Sequence, residues 1–570
     1  MKKIYLIVWI MLLNALFLNQ NTFAGMAYPD PIQVNQPDGT TLTVILQGDE
    51  HLSWAKTMDG YTLLYNNEGV YEYAMRNNSG ELVTSGQKAH DISVRSFQEN
   101  SFLTTIQKNM FFSPSQVTHI RKITDLQNSL RSVNAFPTTG NAKLLCILIG
   151  FSDLPFTETQ ANFHNLFNQV GYGTFGSVKD YYAENSYGQF NLTVDIAGPY
   201  QASNTHAYYG QNSGTDKDIN VRELITEAVN LADPDVDFSD YDNDNDGNVD
   251  GIYVIYAGYN EAEGGGANSI WYHAWSIPTV NLDGVDISAY SCSAEYKGNS
   301  GTNISGIGNI CHEFGHVMGA PDFYDIDYET GGQYSGTGRW DVMASGNFNG
   351  DRDCPAHYNP YVKAYLFNWS TITTLNAQTE LTILNSALNN NNFYRYNTAT
   401  AGEYFLMENR QLLGFDSENP GHGLLIYHVH SDIGSGNINT THPQKFYPVC
   451  ANAGQDPVNS PDSYGTINSA GTPFPGSSNA TAFTDATLPS SKSWAGANTG
   501  KPVVFITEDN AAFTIDLCFM GCPPVADFTA NMTEPCTGET VSFTDLSTYS
   551  PTSWAWTFSP STVTYTGGTS

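Results

Sequence analysis

Positive charge is scarce in this sequence. The chain of 570 residues has 23 lysines and arginines against 57 aspartates and glutamates, a net charge of −34. A chain of that sign repels nucleic acid and anionic membrane surfaces, and it suits a soluble protein with sites for cations. Cysteine is sparse as well: eight residues in the whole chain exclude a disulfide scaffold. Cys518, Cys522 and Cys536 form the cluster from which a disulfide is expected, and no second close pair follows to make a zinc ribbon. Beyond the first two dozen residues, no apolar run reaches the ~18 residues a membrane span needs. No repeat of fixed period occurs. What is plentiful is core-forming material: 40% hydrophobic and 13% aromatic residues exclude a disordered chain.

The N-terminus is a processing signal. "MKK" is a basic start, "IYLIVWIMLLNALFL" an apolar core, and "NQNTFA" ends on small Ala24. This pattern predicts a secretory signal peptide over 1–24, hence a secreted, extracellular protein, with retention at the cell surface left open. Gly25 rather than cysteine follows, which argues against a bacterial lipid anchor. Residues 25–135 read as a separate, mostly extended leader. "TTLTVILQGD", "GYTLLYNNEGVYEYAM" and "GELVTSG" have the look of short strands joined by Gly and Asn turns. "AKLLCILIGFSD" and "GIYVIYAGYN" are buried strands, and "SVKDYYAENSYGQF" is a helix entered through a Ser cap. From about residue 370 the pattern turns β-like, and 459–500 is rich in loop-forming residues.

One stretch carries chemistry: "HEFGHVMGAPDFYD", residues 312–325. On a helix, His312 and His316 lie one turn apart on one side, so both imidazoles can reach one ion at about 2.0–2.1 Å. Glu313, beside the first ligand, can take a proton from water at that ion. Gly319 supplies a left-handed cap and Pro321 cannot continue the helix, so the chain turns and Asp322 can return as third ligand. A fourth position stays open, as catalytic zinc requires. A chance HExxH in a chain with 13 histidines has odds of roughly one in seventy, and adding Gly319 and Asp322 lowers them to roughly one in ten thousand. An ordinary polar helix face is therefore the weaker reading. Cys311, about 100° around the helix from His312, reads as a core residue.

At these residues the chain resembles the immune inhibitor A-like secreted metalloproteases, relatives of the metzincins. "SVKDYYAENSYGQF", "YDNDNDGNVDGIYVIYAG", "RWDVMASG" and "EYFLMENRQ" extend the resemblance, in the family's order, over most of 136–520. It implies a zinc endopeptidase made with a signal peptide and a propeptide and acting on protein or peptide substrates. It maps His312 and His316 to zinc, Glu313 to the general base, Met343 to a methionine turn beneath the metal and Asp322 to the motif's acidic position. Asp325 and Glu408 are acidic alternatives for the third ligand. Ser345 stands where metzincins often have a tyrosine, so the oxyanion stabiliser is open among Tyr324, Tyr334 and His273.

The implied architecture is an α/β zincin-like catalytic domain with an HExxH active-site helix over 136–368. A β-rich C-terminal part follows over 369–520, and 523–570 resembles the start of a PKD domain, an immunoglobulin-like β-sandwich. In "DNDNDGNVD", Asp242, Asp244, Asp246 and Asp250 alternate around Gly247 and offer hard oxygen ligands, so calcium is expected as a second cofactor. Tyr253 stands where an EF-hand loop has its glutamate. His428 and His430 share a strand face and read first as ordinary strand histidines. The leader holds no cysteine, which excludes a cysteine latch on zinc. Steric cover, or a side chain among Asp49, Glu50 and His51, is left to it. Two rival functions are a non-catalytic adhesion or binding protein on a protease frame and a zinc amidase acting on cell wall.

Overall fold

The computed structural model describes residues 23–119, 136–213, 216–326, 334–431, 433, 438–522, 524–536, 538–547 and 553–556. All but the last two residues of the expected signal peptide lie outside it, as does much of the expected PKD segment.

The leader folds as one antiparallel meander: β1 (Ile32–Asn35), β2 (Thr41–Gly48), β3 (Ser53–Thr57), β4 (Thr62–Tyr65), β5 (Tyr71–Arg76) and β6 (Leu82–Lys88), each paired with the next. Alternation in β2 buries Leu42, Val44 and Leu46 and turns the residues between them outward. A helix α1 (Phe97–Leu103), capped by Ser96, closes the unit and was not anticipated. Its signal is Ser96 three residues before Glu99, a weak capping pattern in a short segment.

The central sheet contains β7 (Gly140–Gly150), β8 (Phe190–Gln201), β9 (Ile252–Tyr256), β10 (His273–Leu282) and β11 (Val285–Ala294), in the order β10-β11-β9-β7-β8. The run "LLCILIG", residues 144–150, is apolar throughout because both faces of β7 are covered there. Leu145, Ile147 and Ile149 pack with Leu224, Ile225 and Val229 of α4 (Val221–Ala232). Leu144, Cys146 and Leu148 face the layer of α2 (Gln160–Asn168), α3 (Val178–Asn185) and α5 (Ile307–Val317). The expected Ser cap on α3 is a full capping box between Ser177 and Asp180. β10 runs antiparallel to β11, and Phe23–Ala24, the last two residues of the expected signal peptide, pair with its other side, Phe23 opposite Ala274 and Ala24 opposite His273.

Beyond residue 370, two sheets form. One holds Ile372–Thr374, Phe393–Asn397, Glu403–Arg410, Gly423–His430 and Phe446–Pro448; the other holds Thr379–Leu384, Ala482–Phe483, Val503–Asp509 and Thr514–Phe519. Their apolar faces merge with the layer around α5 in a single cluster from Leu144 and Phe314 to Phe405, Leu425 and Phe519. The segment after 369 therefore shares the catalytic segment's core. Cys518 and Cys522 form a disulfide, while Cys536 is exposed and outside any disulfide among the described residues. Of the expected sandwich, the described residues hold one hairpin, Phe528–Ala530 with Phe543–Asp545, and Trp556 sits against Phe528 and Phe543. No helix among the described residues is long and apolar enough to cross a membrane.

Candidate metal centre and cleft

Every residue of α5 is buried. That departs from an amphipathic surface helix and follows from its position between the central sheet and the loops of residues 338–358. Gly308 and Gly315 allow the close approach. A β-carbon on Gly308 would lie 1.9 Å from Asn347 O, and one on Gly315 would lie 2.6 Å from Tyr358 Oη and 2.9 Å from Met343 Sδ. Met343 thus lies under the helix at its histidine turn. Gly319, at φ 102°, turns the chain back after the helix, as expected.

His312 and His316 each donate Nδ1–H to a backbone carbonyl, His312 to Val342 O at 2.7 Å and His316 to Ala320 O at 2.8 Å. Both Nε2 lone pairs therefore point the same way, with Nε2 atoms 3.2 Å apart. Asp322 Oδ1 closes the triangle at 3.3 Å from His312 Nε2 and 3.5 Å from His316 Nε2. Donors about 2.0–2.1 Å from one tetrahedral ion stand about 3.3–3.4 Å apart, so the three atoms fit a single zinc-sized cation. Glu313 Oε1 lies 3.9 Å from His312 Nε2, beside the triangle rather than in it. Burial opposes charge on His312, but the Asp322 hydrogen bond and the nearby Glu313 and Asp322 charges outweigh it and raise its pKa to about 9. A proton on His312 does in part what a cation would do there.

The other residues singled out in the sequence are distributed as follows. Asp325 is tied to Tyr334, whose backbone N–H lies 3.3 Å from Asp325 Oδ2. Glu408 lies against Arg410 Nε at 2.9 Å and accepts from Tyr427 Oη at 2.8 Å, inside a buried network with Asp416. Tyr334 donates to Asn459 Oδ1 at 3.1 Å. His273 has both ring nitrogens engaged, with Trp271 O at 2.8 Å and Tyr290 Oη at 2.7 Å. Tyr324 and Cys311 are buried. Asp242, Asp244 and Asp246 converge, with carboxylate oxygens within 4.8 Å of one another. Asp250 stands behind them, its Oδ2 accepting from Asn243 N and Nδ2 at 2.9 and 2.8 Å. His428 bonds Glu403 Oε1 at 2.7 Å and lies against Tyr447 and Trp494, and His430 stacks on Trp494.

The sequence reading missed Trp271 and Tyr272. They precede β10 and hold the leader's first residues across the centre. Trp271 Nε1 donates to Gly25 O at 2.6 Å, and Tyr272 Oη donates to Met26 O. Tyr28 N donates to Ala262 O at 2.9 Å, the Tyr28 ring meets Phe348 edge-on at 5.3 Å, and the Arg352 guanidinium lies 4.3 Å over that ring. Arg339 pairs with Asp30 at 2.5 Å. "SIWYHAW" gives no motif signal; only its place before an edge strand could have drawn attention to it.

Residues 136–370 match the catalytic domain of the immune inhibitor A peptidase M6 family. Among characterised proteins, the pre-pro-metalloprotease PrtV of Vibrio cholerae serotype O1 is 29% identical over 279 residues, covering 40% of this chain and 30% of PrtV. Immune inhibitor A of Bacillus thuringiensis subsp. alesti is 26% identical over 233 residues, covering 34% of this chain and 33% of that protein. The chain spans about a third of the length of each of these relatives. Residues 136–370 thus form a domain similar to the immune inhibitor A peptidase M6 catalytic domain, and the relatives that match this chain are metalloproteases.

Proposed function

We propose that the protein is a secreted zinc endopeptidase, made as a zymogen, that hydrolyses peptide bonds of extracellular proteins or peptides. The observation that carries this is the donor triangle of His312 Nε2, His316 Nε2 and Asp322 Oδ1, with Glu313 beside it and a polypeptide main chain gripped in front of it. Residues 1–24 would be the signal peptide, 25–135 the propeptide, 136–368 the catalytic domain, 369–520 its β-rich continuation and 523–570 part of a PKD domain.

His312, His316 and Asp322 would hold the zinc, which when bound polarises the scissile carbonyl and acidifies water. Glu313 takes the proton of the attacking water and delivers it to the leaving amine. Trp271 Nε1 and Tyr272 Oη, which grip leader carbonyls here, are the donors that would hold substrate carbonyls once the leader has gone. The edge of β10, paired with Phe23–Ala24, is the rail along which an extended substrate would lie antiparallel. Calcium would sit among Asp242, Asp244 and Asp246, with Asp250 adding its charge from behind.

The test uses the leader-released full chain on denatured protein and on peptidoglycan, with zinc content measured on the same sample. New α-amines from protein, lost on zinc chelation and regained on zinc addition, are the expected result. Zinc-loaded protein that releases none would favour a binding protein on a protease frame. Release from peptidoglycan alone would favour the amidase.

A further inference from the structure

The β2–β3 turn puts two leader side chains into a cavity beside the cleft. Asp49 Oδ1 accepts from His51 N at 2.9 Å and Leu52 N at 3.0 Å, which fixes the tip of the turn and presents Glu50 and His51. They enter a space lined by Lys217, Asp218, Val221, His273 and Trp275 and leave a cavity of only about 30 Å³. His273 is at the start of β10, opposite Ala24. Glu50 is close enough to the centre for the charges of Glu313 and Asp322 to act on it.

The groups in this cavity do not match. Asp218 is 5% exposed; its Oδ2 accepts from Trp271 N at 2.8 Å, and its Oδ1 has no hydrogen-bond partner among the described residues. Lys217, the cation at hand, is engaged by Glu261 at 2.9 Å. His273 is saturated by Trp271 O and Tyr290 Oη. His51 is kept neutral, burial pulling its pKa to about 4. Burial pushes the pKa values of Asp218 and Glu50 well up, and neighbouring carboxylates add to both. An acid thus occupies a cavity whose wall presents a buried carboxylate oxygen, Asp218 Oδ1, without a hydrogen-bond partner among the described residues. A buried carboxylate is stabilised best by a cation; Glu50 brings none, and its Oε1 lies 3.3 Å from His51 Nε2.

We propose that this cavity is a side-chain subsite of the cleft, that Asp218 makes it selective for lysine or arginine in a peptide lying along β10, and that Glu50 fills it in the leader-covered form as a poorly matched stand-in. The proposal rests on the endopeptidase reading and goes beyond it by naming the substrate class. A lysine side chain is no bulkier than those of Glu50 and His51 together. Its ammonium supplies three donors, one of which can serve Asp218 Oδ1. The mismatch of Glu50 has a use in a zymogen, because a leader that fitted perfectly would not leave.

Two experiments test this. On the leader-released full chain, fluorogenic peptides are compared with Lys, Leu or Glu at each position around the scissile bond. At one position Lys should exceed Leu in kcat/KM by at least about 30-fold, the order expected for a desolvated charge pair. Asp218→Asn should collapse that ratio, and Asp218→Lys should turn it in favour of Glu. Cleavage with no basic preference at any position overturns the subsite. No cleavage of any peptide by zinc-loaded protein removes the endopeptidase reading, and the subsite with it.

The second experiment needs no activity and no released leader. In the Glu313→Ala full chain, Glu50→Lys should raise the melting temperature by about 2 °C or more, although a buried lysine ordinarily lowers it. With Asp218→Asn added, the same Glu50→Lys change should lower it. A fall in both backgrounds overturns the proposal.

Discussion

A β-carbon on Gly25 would lie 2.8 Å from Glu313 Oε1 and 2.2 Å from Tyr272 Cε2. The leader's main chain, with no side chain at that point, therefore stands against the residue assigned as general base. This is cover by backbone, and the leader's side chains act at a distance from it, Tyr28 as an anchor and Glu50 as a filler.

That division makes the anchor testable without touching the catalytic segment. Tyr28→Ala removes the edge contact with Phe348 and the Arg352 cation over the ring. An aromatic pair and a cation–π contact together are worth about 1–2 kcal/mol, so the uncovered fraction should rise about tenfold. Peptidase activity of the unprocessed chain, measured before any leader cleavage appears on a gel, reads that fraction directly. Unchanged latency would mean that the 25–30 stretch is held by its backbone bonds alone.

Glu313→Ala separates binding of zinc from its use. The donor triangle remains, so zinc content should match the wild type, while turnover of a fluorogenic peptide falls by at least about 10²–10⁴-fold. Both are measured on one purified, leader-released sample. A variant that loses zinc would make Glu313 part of the metal shell.

The third ligand can be tested by three substitutions. Asp322→Asn replaces a carboxylate that closes the triangle with a neutral amide, so zinc affinity should drop strongly, read by competition with a chromogenic chelator. Asp325→Asn should keep zinc. Glu408→Gln should also keep zinc but lower the melting point, since it leaves Arg410 short of one of its two buried carboxylate partners. Zinc loss in either control would reassign the ligand.

How far the sequence could be read depends on the range of the signal. Helix α5, its glycine exit, the apolar runs of β7 and β9 and the Ser177 cap are all local patterns, and each is where the spacing predicts it. His312, Glu313, His316 and Asp322 are within eleven residues of each other, so one helix and one turn bring them together. Trp271, Tyr272, Glu50 and Asp218 matter through contacts between residues far apart in the chain, 53 residues from Asp218 to Trp271 and 246 from Trp271 to Gly25, and nothing in their neighbours announces it. In the sequence Glu408 is an acidic alternative for the third ligand. Its partners Arg410 and Tyr427 satisfy it instead, and only tertiary structure supplies the second of them. Asp250 was grouped with the other loop aspartates by spacing, but strand β9 begins two residues later and draws it inward.

That inward position gives the acidic loop a pH signature. Asp242 accepts from Asp246 N at 3.0 Å and Gly247 N at 2.9 Å, and Gly247 at φ 91° allows the turn that brings the three outer carboxylates together. Asp250, almost wholly buried, is pushed up to about 6 by burial, with the charges of Asp244 and Asp242 adding to it. The native state therefore binds more protons than the unfolded chain between the ordinary carboxylate range and pH 6, and stability falls as pH rises through that window. A divalent cation in the loop would favour the ionised form and remove the fall. In zinc-loaded Glu313→Ala protein freed of calcium, the melting temperature should decline from about pH 4 to 6 relative to Asp250→Asn, which lacks the titrating group. Millimolar calcium should abolish that difference and raise the wild-type midpoint above pH 6; at a hundred times its dissociation constant one bound ion contributes about 2.7 kcal/mol. A midpoint indifferent to calcium above pH 6 would leave residues 242–250 as a solvated acidic turn.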